Sequence, residues 1–332
     1  MIITRTPYRI SFFGGGTDYP EWYRQYGGLV LATTIDKYCY ISCRYLPPFF
    51  EHKYRIVYSR IEDVKKISDI EHPAVKATLE WMQCSKGLEI HHDGDLPARS
   101  GIGSSSSFTV GLVNALEALK GSRIPKNDIA NQAIHIEQNI IRENVGSQDQ
   151  ISAAYGGFNR IKFNRDDTFD VHPIILPTER IKMLEDHLML FYTGISRISS
   201  DIAKSKIDKM KHRVSELNKI KDMVNQGLAI LEGPAEMIDD FGRLLGESWE
   251  HKKRLSDQVS TPRINQIYEC AIKAGATGGK ILGAGGGGFL LLFVKPELQS
   301  QVRERLHDIT HVPFRFENSG SRIVLYQPNG LT

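Results

Sequence analysis

The chain has 332 residues, 41% hydrophobic and 24% charged, a composition ordinary for a globular protein and a length that suits two packed domains better than one core. Its 42 lysines and arginines against 39 aspartates and glutamates leave a formal net charge of +3 with no basic run, so neither nucleic acid nor a membrane surface is suggested as a partner. Four cysteines without a CxxC pair are too few for a disulfide framework, and no apolar run nears the roughly 20 residues of a membrane span, so we expect a cytoplasmic protein without a secretion leader.

In chain order, residues 8–13 read as a short strand stopped by Gly14, Gly15 and Gly16. Residues 29–46, rich in β-branched and aromatic side chains and closed by Pro47 and Pro48, form a long strand, with Cys39 and Cys43 on one face as small buried hydrophobes; residues 55–59 form another. Pro73 suits the first turn of a helix over 74–82, and a short strand follows at 88–91. Beyond Ser104 the period changes: Phe108, Leu112, Ala115, Leu116 and Leu119 share one helical face, and Gly121 ends it. Asn127 or Asp128 can cap a helix reaching about Glu143, after which 155–163 returns to strand. The charged stretch 193–233 is mostly helical, as are 235–249 and 263–274. A glycine-rich segment (278–288), a strand (289–294), a helix (297–307) and strands at 312–316 and 322–326 close the chain. Strands and helices mix without strict βαβ alternation, so the fold class is α+β, divided into units at 1–185 and 186–332.

The segment most suited to chemistry runs from Asp95 to Ser107, with Gly101-Ile-Gly103 followed by Ser104, Ser105, Ser106 and Ser107, and leads straight into the helix. Glycines let backbone approach a ligand, and free N–H groups at a helix start favour phosphate oxygens. One serine would suffice to cap the helix; four behind Gly-x-Gly point to phosphate binding, with hydroxyls that also suit Mg²⁺. The segment is not a Walker loop, since GxxxxGK[ST] is absent. A GxGxxG string at Gly283–Gly288 precedes a strand, whereas the dinucleotide fingerprint precedes a helix, so a NAD-linked dehydrogenase has little support. His91, His92 and Asp93 sit at a strand end, where neighbouring side chains diverge, and read as surface or loop-supporting residues.

Three segments resemble, in order, the motifs of the GHMP kinases (galactokinase, homoserine kinase, mevalonate kinase, phosphomevalonate kinase). The first runs from Arg5-Thr-Pro7-Tyr-Arg9 to Gly14-Gly15-Gly16-Thr17-Asp18, the second is the serine loop, and the third runs from Gly278-Gly-Lys280 through Gly285 and Gly286 to Phe289. The resemblance implies an N-terminal domain around the phosphate loop, a ferredoxin-like C-terminal domain, an active site between them, and ATP with Mg²⁺ as cosubstrate and metal. It implies ATP-phosphate contacts from Gly101, Gly103 and Ser104–Ser107. Asp149, in Val145-Gly-Ser-Gln-Asp149-Gln150, is similar to the aspartate of the GxxDQ segment that faces the sugar hydroxyl, and becomes the candidate base. Glu137, twelve residues earlier, matches the glutamate that holds Mg²⁺ with a serine corresponding to Ser105. Arg9 resembles the arginine near the transferred phosphoryl group, and Asp18 the aspartate that receives sugar hydroxyls. Gly15, Gly16 and Thr17 would flank the sugar, Gly285 and Gly286 would lie beneath phosphates and sugar, and Lys280 would reach an anion. Without the resemblance, Asp149 and Glu137 read as helix carboxylates and Arg9 as a solvent-facing strand residue.

Galactokinase carries Glu-His where Gly15 and Gly16 stand here, so we expect a larger pocket and a substrate other than galactose. The GGGTD version and the aromatic run Trp22, Tyr23 and Tyr26 look like the heptose-phosphate kinase group and the kinase part of fucokinases, and the stretches 193–197 and 249–253 look like the heptose kinase group. The resemblance therefore implies a sugar phosphate as small-molecule partner, phosphorylated on its anomeric hydroxyl. Arg44, Arg197, Lys252, Lys253 and Lys280 are candidates for its distal phosphate. A fucokinase-like enzyme, an isoprenoid kinase and a non-catalytic sugar and ATP sensor stay open, as does a homo-oligomer.

Overall fold

The computed structural model describes residues 1–195, 199–210 and 212–328. Among them, nine strands form a first sheet around β1 (Ile2–Phe13) and β2 (Gly28–Tyr45), which pair antiparallel from Ile2 opposite Cys43 to Phe13 opposite Leu31. At 18 residues, β2 is long enough to take two partners on its far side: β5 (Leu88–Gly94) along its end and β6 (Phe158–Phe163) along its start. The hairpin β3 (Tyr54–Val57) and β4 (Ile61–Val64) extends one side, and β7 (Phe169–Pro173) pairs with β6. Cys39 and Cys43 are buried, as their spacing predicts.

Helix α3 (Ser104–Leu119) lies across β1 and β2 with most of its side chains buried. Gly111 permits this approach, since a Cβ there would stand 2.9 Å from Thr6 Oγ1. The remaining helices of this unit are α1 (Pro20–Tyr26), α2 (Pro73–Trp81), α4 (Lys126–Ile134), α5 (Gln148–Tyr155) and α6 (Thr178–Asp186). The single helix expected to about Glu143 is instead α4, starting after Pro125, followed by a π-helical turn over His135–Ile141 that ends at left-handed Arg142. The strand expected from Tyr155 begins at Phe158, because α5 runs to Tyr155 and Gly156 and Gly157 (φ 69° and 86°) make the turn.

The second sheet contains β8 (Leu188–Tyr192), β9 (Ala276–Ile281), β10 (Phe289–Val294) and β11 (Thr310–Val312), all antiparallel in the order β11-β8-β10-β9. Between β8 and β9 run α7 (Ser199–Met210), α8 (Val214–Glu232), α9 (Ile238–Lys253) and α10 (Pro262–Lys273); α11 (Gln299–Arg305) joins β10 to β11. The connectivity is β-α-β-β-α-β, the ferredoxin-like arrangement the motifs implied. Strand β9 contains Gly278 and Gly279, which mimic a loop signal; a Cβ on Gly278 would fall 2.0 Å from the carbonyl oxygen of Gly242 on α9, so helix packing requires the glycine.

A division into residues 1–185 and 186–332 needs correction at its end. After β11, Pro313 interrupts the ladder, and β12 (Phe316–Glu317) and β13 (Arg322–Tyr326) return to pair with β2 and β1. The two units also share one core. Phe241 of α9 packs edge-on to Phe12 and Phe13 at 5.4 and 5.1 Å and lies 6.3 Å from Phe293 of β10. Among the described residues no helix is long and apolar enough to cross a membrane.

Candidate active site

The serine loop and the late glycine loop touch where the two units meet. Gly101 and Gly103 adopt left-handed φ of 84° and 75°, and Gly103 directly precedes α3. A Cβ on Gly101 would stand 2.7 Å from the Leu282 carbonyl oxygen, and one on Gly288 2.1 Å from that of Ser100. The Phe289 amide donates to that Ser100 oxygen at 3.1 Å. The first turn of α3 has no side-chain cap, so its leading N–H groups remain available to an anion, aided by the helix dipole. Ser104 Oγ accepts from the Arg99 amide at 3.1 Å, Ser105 is exposed, and Ser107 Oγ donates to the Pro7 carbonyl at 2.9 Å.

Arg9 on β1 meets Asp149 in the first turn of α5. Its Nε and Nη2 donate to the two carboxylate oxygens at 2.8 Å each, and Nη1 donates to the Gly101 carbonyl at 2.7 Å. The arginine side chain is 4% exposed and the aspartate 23%, so the cation forms the floor and the carboxylate faces the opening. A Cβ on Gly103 would lie 3.3 Å from Asp149 Oδ2, which puts this carboxylate directly beside the Gly101–Gly103 turn. A carboxylate held there can take a proton from a hydroxyl attacking a phosphate.

Asp18 is buried beside the pair. Its Oδ1 accepts from the Gly16 amide at 2.8 Å and its Oδ2 from the Gln148 amide at 3.4 Å. Burial, with nearby Asp149 adding to it, raises its pKa above the ordinary carboxylate value, against the lowering by those amides. Only glycine fits at Gly146, since a Cβ would sit 1.9 Å from Asp18 Oδ2. Thr17 is not presented to a substrate: its buried hydroxyl donates to the Gly14 and Leu29 carbonyls at 2.8 and 3.0 Å, closing the glycine turn. The room expected over Gly16 is filled, because a Cβ there would meet Leu217 of α8 at 3.1 Å. Gly15 is partly exposed.

Glu137 projects from the π-helical turn, the kind of local overwinding that re-aims a side chain. It is fully buried and accepts from Ser106 Oγ at 2.8 Å and from the Gln150 amide nitrogen. The hydroxyl that reaches Glu137 is thus that of Ser106, not of Ser105. Burial raises its pKa from 4.5 to about 7, against the lowering by Thr109, Ser106 and Gln150. The other oxygen, Oε1, is buried and without a hydrogen-bond partner. A buried carboxylate with an unsatisfied oxygen beside a serine hydroxyl, in the first turn of an uncapped helix, is a hard-oxygen donor set that fits Mg²⁺.

Four of the basic residues expected at anions have partners within the chain. Lys280 is buried and donates to the Phe12 carbonyl at 2.6 Å, tying β9 to β1. Lys252 is buried and donates to the Ile281 and Gly283 carbonyls at 2.7 Å each, anchoring the late glycine loop. Arg44 pairs with Glu89 on the sheet surface and Lys253 with Glu250 on α9. Arg197 lies outside the described residues. In the loop, Gly285 stays partly open, whereas the Gly286 amide is spent on the Val259 carbonyl at 2.8 Å. His91 bonds Glu89 and His92 stands edge-on to Phe108, supporting roles as expected. The sequence pointed Ser106 at ATP phosphates and not at Glu137, and it assigned no role to Gln150 or Gly146, both of which lie in the GxxDQ segment.

Comparisons with known proteins point the same way. The pattern described as GHMP kinases N terminal domain matches residues 68–157, and that described as GHMP kinases C terminal matches residues 234–309. A D-glycero-alpha-D-manno-heptose 7-phosphate kinase of Campylobacter jejuni is 30% identical over 312 residues, covering 89% of this chain and 90% of that protein. A bifunctional fucokinase/GDP-fucose pyrophosphorylase of Arabidopsis thaliana is 25% identical, covering 91% of this chain and 31% of that longer protein. Among solved structures, a D-glycero-D-manno-heptose 1-phosphate kinase from Bacteroides thetaiotaomicron shares the fold with a TM-score of 0.80 at 24% identity, covering 98% of this chain and all of that one (100%).

Proposed function

This chain belongs to the GHMP kinases and is an ATP-dependent sugar kinase, and from that premise we propose that its substrate is a heptose 7-phosphate, phosphorylated on the anomeric hydroxyl to the 1,7-bisphosphate. The substrate reading is supported by the 30% identity to the Campylobacter jejuni heptose 7-phosphate kinase along nearly the whole chain.

The observation that carries the mechanism is the Arg9–Asp149 pair set against the Gly101–Gly103 turn. In this reading the leading N–H groups of α3 and the glycine loops hold the ATP phosphates. Asp149 takes the proton of the acceptor hydroxyl as its oxygen bonds to the γ-phosphorus, and the bond to ADP breaks. Arg9 keeps the carboxylate aimed and offsets charge near the transferred group. Asp18, held by Gly16 and Gln148, receives a sugar hydroxyl. Glu137 with Ser106, and Ser105 on the next position of the turn, would hold Mg²⁺, which spreads the phosphate charge when bound. The enzyme's place in the cytoplasm remains part of the same proposal.

A second reading is a neutral, fucose-like sugar. It is favoured by the contacts that Arg44, Lys252, Lys253 and Lys280 make within the chain, to Glu89, to the Ile281 and Gly283 carbonyls, to Glu250 and to the Phe12 carbonyl. ADP release with Mg·ATP against heptose 7-phosphate, mannose, fucose, galactose and mevalonate separates the readings. We expect turnover on heptose 7-phosphate well above the rest; a neutral sugar as best acceptor would establish the second. On the best acceptor, Asp149→Asn is expected to lower kcat by roughly 10²- to 10⁴-fold with little change in KM, and an unchanged kcat would remove Asp149 as base.

A further inference from the structure

Two buried polar groups beside the Arg9–Asp149 pair have no assigned task. Ser11 is 6% exposed and Gln148 9%, yet Ser11 Oγ and Gln148 Oε1 are buried without a hydrogen-bond partner. Buried polar atoms are almost always paired, so two neighbouring orphans are unexpected unless something else completes them. Both border the same small space: a Cβ on Gly15 would lie 3.6 Å from Ser11 Oγ and 3.7 Å from Gln148 Nε2, with nothing nearer. Gly15 is partly exposed, so the space opens to solvent.

The placement relative to the reacting groups follows from the backbone. Arg9 and Ser11 pair with Thr34 and Ala32 in unbroken register, so their side chains share one face of β1, about 7 Å apart. Gln148 immediately precedes Asp149, and its amide donates to Asp18. The residues that border the space over Gly15 are thus neighbours of Arg9 on β1 and of Asp149 on α5. No charged atom lies within 4 Å of the Cβ position over Gly15, and the two groups there are neutral, a hydroxyl, which donates and accepts, beside a carboxamide, which does both.

We propose that Ser11 and Gln148 form a neutral polar subsite over Gly15 that hydrogen-bonds a second hydroxyl of the acceptor, vicinal to the one phosphorylated, and so selects polyhydroxylated acceptors. The proposal rests on the sugar-kinase reading above. Gly15 belongs to the subsite because a side chain would fill it. Leu217 closes the space over Gly16, which confines the hydroxyl to the Gly15 side.

The test compares kcat/KM for the best sugar of the panel with that for its 2-deoxy analogue. The wild-type enzyme should prefer the parent sugar by roughly 10- to 100-fold, because the analogue leaves buried partners unpaired. In Ser11→Ala and Gln148→Leu this preference should shrink towards one, through a higher KM for the parent sugar and an unchanged KM for ATP. Gly15→Ala gives an independent check, since Gly15 is not in the left-handed region and the backbone accepts alanine. It should raise the sugar KM about 10-fold while leaving ATP binding intact. A preference that survives in both Ser11→Ala and Gln148→Leu, or an equal loss on parent and deoxy sugar, overturns the subsite and leaves the kinase reading standing. If no sugar is turned over, the kinase substrate reading fails by itself. The subsite is then read by the thermal shift each panel sugar gives: stabilisation of wild type lost in the variants supports it, and equal shifts, or none, overturn it.

Discussion

At the scale of single residues, the site shows charge placed by burial. Glu137 is inside the protein because Ser106 and Gln150 satisfy one oxygen; the other is unpaired, and the carboxyl prefers its proton up to about pH 7. Its folded pKa exceeds the unfolded value of 4.5, so its contribution is fully present below pH 4.5 and is lost as pH rises to about 7. Ligand-free enzyme should therefore lose on the order of 3 kcal/mol between pH 4.5 and 7 from this group. Glu137→Gln should flatten that slope and raise the Mg²⁺ concentration needed for half-maximal turnover. Melting temperatures at pH 5 and pH 7.5 for both proteins check it, and an equal fall in both would contradict the assignment. The choice of Ser106 over Ser105 was not legible in the chain: four consecutive serines turn through successive directions of one helix, and the π-helical turn at 135–141 decides which one faces the glutamate.

At the scale of elements, the two glycine loops act as one piece. Gly288 (φ 85°) leaves no room for a Cβ against the Ser100 carbonyl, and Lys252 caps carbonyls of the same loop from α9. Gly288→Ala should cost at least about 2 kcal/mol, combining left-handed strain with a backbone clash, and should raise the KM for ATP. Urea unfolding and ATP kinetics measure the two; a normal urea midpoint would show that the loops move independently. Helix α3 could be read from periodicity, and β10 from its apolar run, which is buried along its whole length. Strand β9 could not, because Gly278 makes room for a helix more than thirty residues away in the chain and Gly279 for β10.

At the scale of the molecule, the units are joined by the Phe12, Phe13, Phe241 and Phe293 cluster, by Lys280 reaching β1, and by a tail that leaves the second sheet for the first. Such shared burial predicts one cooperative unfolding transition. Variants retaining only Trp81, in the first unit, or only Trp249, in the second, should give coincident urea midpoints by fluorescence. Separate midpoints would mean that the units hold together independently.

The chain by itself determined the family, through three motifs in order, and the α+β class, and it singled out the serine loop, Arg9 and Asp149 as candidates, because each motif is written in residues close together. Tertiary structure alone decided which serine meets Glu137, that Lys252 and Lys280 donate to backbone carbonyls, that Leu217 covers Gly16, and that the last strands return to the first sheet. Those outcomes join positions from about thirty to more than three hundred residues apart. They follow from which buried polar groups must find partners and which spaces must be filled, and neither can be read from local spacing.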